Sequence, residues 1–316
     1  MNSNVNSSAS VHLSGYQARD HEVTDYQMYE LAGTGLRFRG PEPTGLEAGR
    51  YFTCIGAAQT FGCFCDNPYP RIIERQFNLQ ALNLGYGGAG PEFYERHPAL
   101  DEFINRSRFL VVQVMSGRSQ SNSVYESGGL EYLTRRRDGQ KISAQAAYAE
   151  LVDGPRSIRS LPPKKLMDAV ARRLALPATR KIVSETRANW IESYRSFLSR
   201  IEVPTILLWF SRRTPDYPEN LLKLSGIFGE FPQMIDRATL EQIKPFCDHY
   251  VECVSDRGSP QRLVSRFSGK PVLVNPSLDR QDLGGELWTH DPYYPSPEMH
   301  EDAAQALFEV VKHLVA

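Results

Sequence analysis

Apolar residues along this chain gather in five short continuous runs. They are Tyr51–Ile55 (YFTCI), 80–84 (QALNL), 109–115 (FLVVQVM), 205–210 (TILLWF) and His249–Val254 (HYVECV). Runs of this length, closed by Gly, Ser or polar turns, predict strands covered on both faces, as in a parallel sheet. The stretches between them carry helical spacing. Segment 68–77 puts Ile72, Ile73 and Phe77 on one face, and 91–105 reads as helix interrupted near Pro98. Segments 219–228 and 235–243 predict two further helices, and 271–274 a short edge strand. Ser296, Pro297 and Glu298 form a helix start, with a capping hydroxyl, a proline at the first position and an acid in the first turn. That last helix runs to about residue 314 and turns Ala303, Leu307, Val310, Val311 and Leu314 inward.

Strand followed by helix, repeated, predicts an α/β fold: a three-layer α/β/α sandwich with a mostly parallel, flavodoxin-like sheet of about five strands. Residues 124–200 break that rhythm. They predict a helical insertion with helices over 144–152, 163–174 and 179–199, the last bearing a stripe of Val183, Trp190, Tyr194 and Phe197. Residues 1–50 precede the first core strand. The Asn- and Ser-rich composition of 1–15 predicts disorder, and the aromatic-bearing remainder an arm packed on the domain of 51–316.

Composition narrows the function classes. A formal net charge of -1 gives no reason to expect nucleic acid or an acidic membrane surface as partner. No run approaches the ~20 apolar residues that span a bilayer, and the polar first thirteen residues do not form a secretory signal. Five cysteines, Cys54, Cys63, Cys65, Cys247 and Cys253, include one C-x-C pair and no zinc spacing. Structural thiols in a reducing, cytoplasmic compartment follow, with no metal and no cofactor expected.

Ligands of such folds sit at the carboxyl ends of the strands. Four loops gather there, and their residues resemble the blocks of the GDSL/SGNH hydrolases. Gly56-Ala57-Ala58-Gln59-Thr60-Phe61-Gly62 resembles the first block, G-D-S-L-T-x-G. Asn83-Leu84-Gly85-Tyr86-Gly87-Gly88 resembles the second, where a glycine amide helps bind an oxyanion. Gly117-Arg118-Ser119-Gln120 stands where the family has G-x-N-D, and His300 where it has the histidine of D-x-x-H. The opening block also resembles that of a group of uncharacterised bacterial proteins with G-A-x-x-T-[FY]-G.

The departures decide what the resemblance implies. Ala58 occupies the place of the nucleophilic serine, and a methyl group cannot attack a carbonyl. Ala57 replaces the neighbouring acid, Ser119 the asparagine, and Pro297 the aspartate that orients the histidine. Gly85 and His300 remain, with Asp291 as a substitute partner for the imidazole. A displaced hydroxyl from Ser116, Ser119, Ser121, Ser123 or Thr60 could meet His300 if the third loop folds inward. Arg118 can hold an anion by two parallel bonds, and Gln59 can donate or accept at the pocket floor.

Three functions follow as expectations. The first is acyl or related group transfer, or hydrolysis, on a carbohydrate-like small molecule, with His300 as base and Gly85 and Arg118 holding negative charge. The second is a non-catalytic pocket for a small molecule or glycan, with Ala58 making room and Gln59, Arg118 and His300 as recognition groups. The third is sulfuryl or phosphoryl transfer at the loop around Gly117, which lacks the glycine–lysine pattern of a true P-loop.

Overall fold

The computed structural model describes residues 15–275 and 287–316. The stretch expected to be disordered, 1–15, lies almost wholly outside the described residues. Strands β1 (Tyr51–Ile55), β2 (Gln80–Asn83), β3 (Leu110–Gln113), β4 (Thr205–Ser211) and β5 (His249–Val254) form one sheet in the order β5-β4-β3-β1-β2. Every pairing within it is parallel. Each run of the sequence pattern thus became a strand: β1 and β5 keep their expected bounds, β4 runs one residue further to Ser211, β2 ends one residue early, and β3 is shortened at both ends.

Side chains alternate across the sheet and build two cores, as the period of two requires. Phe52, Cys54, Val111, Ile206 and Leu208 face α1 (Tyr69–Phe77) and α5 (Pro297–Val315), where they meet Tyr69, Ile73, Met299, Ala303 and Leu307. Tyr51, Ile55, Val112, Leu207 and Trp209 face the opposite layer. There α2 (Pro91–Glu95) supplies Phe93 and Tyr94, and a long helix supplies Trp190, Tyr194 and Phe197. These are the three layers of the sandwich. Among the described residues no helix is long and apolar enough to cross a membrane.

The segment 124–200 corrects its expectation. It opens with a three-stranded antiparallel sheet, Tyr125–Glu126, Tyr132–Arg135 and Lys141–Ser143. Gly128, Gly129 and Gly139 take positive φ at the turns, and alternation in YLTR buries Leu133 and Arg135 on one face. Ser143 then caps α3 (Ala144–Asp153) by accepting from the Ala146 N–H. The two helices expected over 163–174 and 179–199 are one, α4 (Lys164–Leu198), with Pro177 inside it. Pro177 removes one donor but sits at an exposed position, and Thr179 Oγ1, 3.1 Å from the Leu151 carbonyl, ties the adjacent turn to α3.

Elsewhere the expected helix 219–228 shrinks to Leu224–Phe228, because Asn220 Oδ1 accepts from the Leu222 N–H (3.0 Å) and holds a turn. The helix expected over 235–243 is Arg237–Glu241, capped by Asp236. The edge strand expected at 271–274 reduces to single bridges, Val264 to Pro271 and Val274 to Trp288.

Candidate functional site

In the order β5-β4-β3-β1-β2 the chain leaves β1 toward one edge and returns at β3 on its other side. That reversal is the topological switch point, and a crevice opens beyond the carboxyl ends of the two strands. The turn after β1 is built tightly. A side chain on Gly56 would place Cβ 2.3 Å from Thr60 Oγ1 and 2.5 Å from Gln113 Oε1, so only glycine fits. Gln113, at the end of β3, accepts from the Ala57 N–H (3.0 Å) and the Thr60 hydroxyl (3.1 Å), locking the two strand ends together. After β3, Ser116 Oγ accepts from the Arg118 N–H (3.1 Å) and shapes the turn Gly117–Ser119.

These loops line a narrow cavity with Ala57, Ala58, Gln59, Ser116, Arg118 and Ser119. Tyr16, Phe231, Tyr293 and Tyr294 close it to about 10 Å³, the space of roughly one water. Gln59, Phe231 and Tyr293 also line a second compartment of about 200 Å³, where Phe210, Met299, Gln233, Arg212 and Glu230 complete the wall. Arg118 Nη2 donates to Glu131 Oε2 (2.9 Å) and to the Tyr293 hydroxyl (3.1 Å), and Gln233 Nε2 reaches the same hydroxyl at 3.3 Å. Gln59 is 2% exposed and Gln233 5%, and the side-chain oxygen of each has no hydrogen-bond partner among the described residues. A buried amide oxygen without a donor is costly, and these two belong to side chains that line one wall.

Of the residues singled out from the sequence, Ala58, Gln59, Arg118 and Ser119 meet in this cavity. Ser119 Oγ donates to the Gly88 carbonyl (2.8 Å). Gly117 packs behind it, its N–H donating to the Gln233 carbonyl (2.9 Å). Gly85 does not join. Its N–H donates to Asn83 Oδ1 (2.9 Å), and a Cβ there would lie 2.3 Å from the Phe61 nitrogen, so it is a close-packing glycine.

His300 lies apart from these residues. The imidazole is fully buried beside Tyr69 and Phe210, and its Nδ1 accepts the Tyr69 N–H at 3.2 Å. Burial, reinforced by the Arg39 charge, pushes its pKa down to about 3. It lines neither compartment. Asp291 is equally buried and is spent on its own turn, accepting from the N–H groups of Tyr293 (2.8 Å) and Tyr294 (3.1 Å). Burial pushes its carboxyl up to about 7. The expected His300–Asp291 pair is therefore not assembled.

The alternative hydroxyls are also occupied. Thr60 lies 3.0 Å from the Tyr69 hydroxyl, Ser121 Oγ donates to Glu92 (2.8 Å), and Ser123 Oγ donates to Glu185 (2.7 Å). Tyr16, Glu131, Phe231, Gln233, Tyr293 and Tyr294 complete the walls without having been singled out as site residues. Tyr293 and Tyr294 have one sequence signal, their place beside Asp291 just before the last helix.

The chain is similar to several solved structures. One is a family two carbohydrate esterase from Clostridium thermocellum in complex with cellohexaose: 12% identity, TM-score 0.36, covering 89% of this chain and 68% of that one. Another is a carbohydrate esterase family 2 enzyme from Corynascus thermopiles (Myceliophthora fergusii), at 10% identity, TM-score 0.38, and 89% and 70% coverage. A third is a catalytic mutant of an acetylxylan esterase from Geobacillus stearothermophilus, at 13%, 0.34, and 83% and 94%. At these values the likeness carries no argument about what this chain does. No curated protein matches the chain. A family model matches residues 15–128 and 164–315, taking in the whole sheet, the crevice loops and the last helix. The chain therefore belongs to the family described as Domain of unknown function (DUF6473).

Proposed function

We propose that the crevice at the switch point binds a small, neutral, hydroxyl-rich molecule, carbohydrate-like in chemistry, and that it does so without the serine hydrolysis of related folds. The observation that carries this reading is the pair of buried, partnerless oxygens, Gln59 Oε1 and Gln233 Oε1, on the wall of the 200 Å³ compartment. Hydroxyl groups are donors that would satisfy both. Phe210, Phe231 and Tyr293 offer apolar faces to a ring's C–H surface. The Arg118–Glu131 ion pair supplies donors and acceptors while its charges cancel, which favours a neutral ligand over the anion expected of a lone arginine. Ala58 supports binding over catalysis, because it leaves space where a nucleophile would stand. A group-transfer reading with His300 as base has less support, since that imidazole is buried away from the cavity. Sulfuryl or phosphoryl transfer has less still, because Glu131 would repel the transferred group.

Calorimetry with a panel of mono- and disaccharides, their acetylated forms, and sulfate and phosphate tests the reading. A neutral sugar should bind and be recovered intact by mass spectrometry. Gln59→Leu and Gln233→Leu should each weaken it by about ten- to a hundredfold, the loss of a buried hydrogen bond to a ligand hydroxyl. Preference for sulfate or phosphate over every neutral sugar, or steady release of acetate from an acetylated one, would reject it.

A further inference from the structure

The amino-terminal half of α4 does something the totals of the chain conceal. The whole protein has a formal net charge of -1, yet residues 159–181 carry seven Lys or Arg and one acid, Asp168. Arg159 pairs with Asp153 (3.0 Å) and Asp168 (3.3 Å), and Arg172 with Asp153 (3.4 Å), so that acid is already neutralised. Lys164, Lys165, Arg173, Arg180 and Lys181 are exposed, and none meets a carboxylate among the described residues. Apolar side chains share this surface. Leu166 (56% exposed), Val170 (36%) and Leu174 (61%) recur every fourth residue along one face, and Leu161 (52%) precedes them. The helix is 35 residues long, about 50 Å at 1.5 Å per residue. Its carboxyl half is anchored in the core through Trp190, Tyr194 and Phe197, whereas only Ala171 and Thr179 are buried in the first half. A leucine face flanked by unpaired cations thus stands on a rigid spur.

We propose that this spur is a docking surface for an anionic lipid headgroup layer, with Leu166, Val170 and Leu174 entering the headgroup boundary and the five free cations meeting lipid phosphates and carboxylates. The combination is that of an interfacial amphipathic helix, with Leu on one side and Lys and Arg beside it. A second copy of this chain is a poor occupant, because it would set like charges against like. Nucleic acid would leave three leucines facing phosphates. A basic surface on a chain of net charge -1 gains its attraction locally, within a Debye length of ~8 Å. This surface is separate from the crevice and does not rest on the sugar-binding reading.

Co-sedimentation of the full-length protein with vesicles of pure phosphatidylcholine, and of phosphatidylcholine with about a third phosphatidylserine, tests it. Binding is expected on the mixed vesicles only, falling steeply in 0.5 M salt (roughly three times the ionic strength at which the ~8 Å Debye length applies). Lys165→Ala with Arg173→Ala should weaken it about twenty-fivefold, at roughly fivefold per cation. Leu166→Ser with Leu174→Ser should weaken it at least tenfold. All variants carry exposed substitutions, and circular dichroism should show unchanged helix content. Gln59→Leu should bind vesicles like the wild type. No binding to mixed vesicles, or equal binding to both kinds, would overturn the proposal. So would loss in the cation variant with full binding in the leucine variant, which would show that the apolar face does not enter the headgroup layer.

Discussion

His300 and Asp291 show how burial alone reassigns a residue. Nδ1 of His300 accepts the Tyr69 amide, which leaves the ring neutral with its proton on Nε2. Its pKa of about 3 lies below the ~6.5 of an unfolded chain, so the native state binds fewer protons between those values. The stability this contributes is present above pH ~6.5 and is lost as pH falls toward 3. Asp291 behaves in the opposite sense. Its carboxyl, raised to about 7 from an unfolded value near ~3.9, holds an extra proton in the native state. That contribution is present below pH ~4 and is lost as pH rises through 7. The two slopes oppose each other between pH 4.5 and 7, and each amounts to about 2–3 kcal/mol over that window. Relative to wild type, His300→Asn should therefore lose stability as pH rises from 4.5 to 7, and Asp291→Asn should lose it as pH falls. Urea unfolding at three pH values reads both; parallel curves for the three proteins would count against these assignments.

Among elements, the turns that hold the crevice are the sensitive parts. Gly85 has an amide satisfied by Asn83 and a Cα pressed against the Phe61 backbone, so the turn after β2 rests directly on the segment carrying Gln59. Gly85→Ala should cost about 2–4 kcal/mol by overpacking and should weaken ligand binding together with stability. A loss under ~0.5 kcal/mol with intact binding would mean the contact relaxes freely. The strands and the last helix were readable because continuous apolar runs and a Ser-Pro-Glu start are local signals. The sheet over 125–143 was not, because its strands are two to four residues long and their pairing depends on partners fixed by glycine turns. The two helices expected over 163–174 and 179–199 failed in the other direction: they are one helix through Pro177, whose lost donor is tolerated where α3 packs against α4.

For the whole molecule, the arm before residue 50 is tied to the sheet's first loop by buried polar contacts. Arg39, buried, donates to the carbonyls of Phe61, Gly62, Cys65 and Asp66, pinning the arm across the segment between β1 and α1. Tyr26 accepts the Phe64 N–H (2.9 Å) and donates to Asp20 (2.6 Å), while Arg19 pairs with Asp20 beneath the Tyr294 ring. Arm and sheet should therefore unfold in one transition. Arg39→Met, which leaves those carbonyls unsatisfied, should lower that transition as a unit by at least about 3 kcal/mol. Calorimetry showing a separate early transition for the arm would contradict this coupling.

Alternation, run length and capping residues determined by themselves which segments are strands and helices, that the sheet is parallel, and that the first and third loops meet at its carboxyl edge, because those signals act over a few neighbours. Ala58 likewise announced from the sequence alone that no serine attack occurs at that position. Which way His300 points, that Glu131 neutralises Arg118, and that Gln59 and Gln233 share a wall were decided only by the tertiary structure. Rotamer, partner and burial are set by atoms contributed from distant parts of the chain, and no local pattern carries that information.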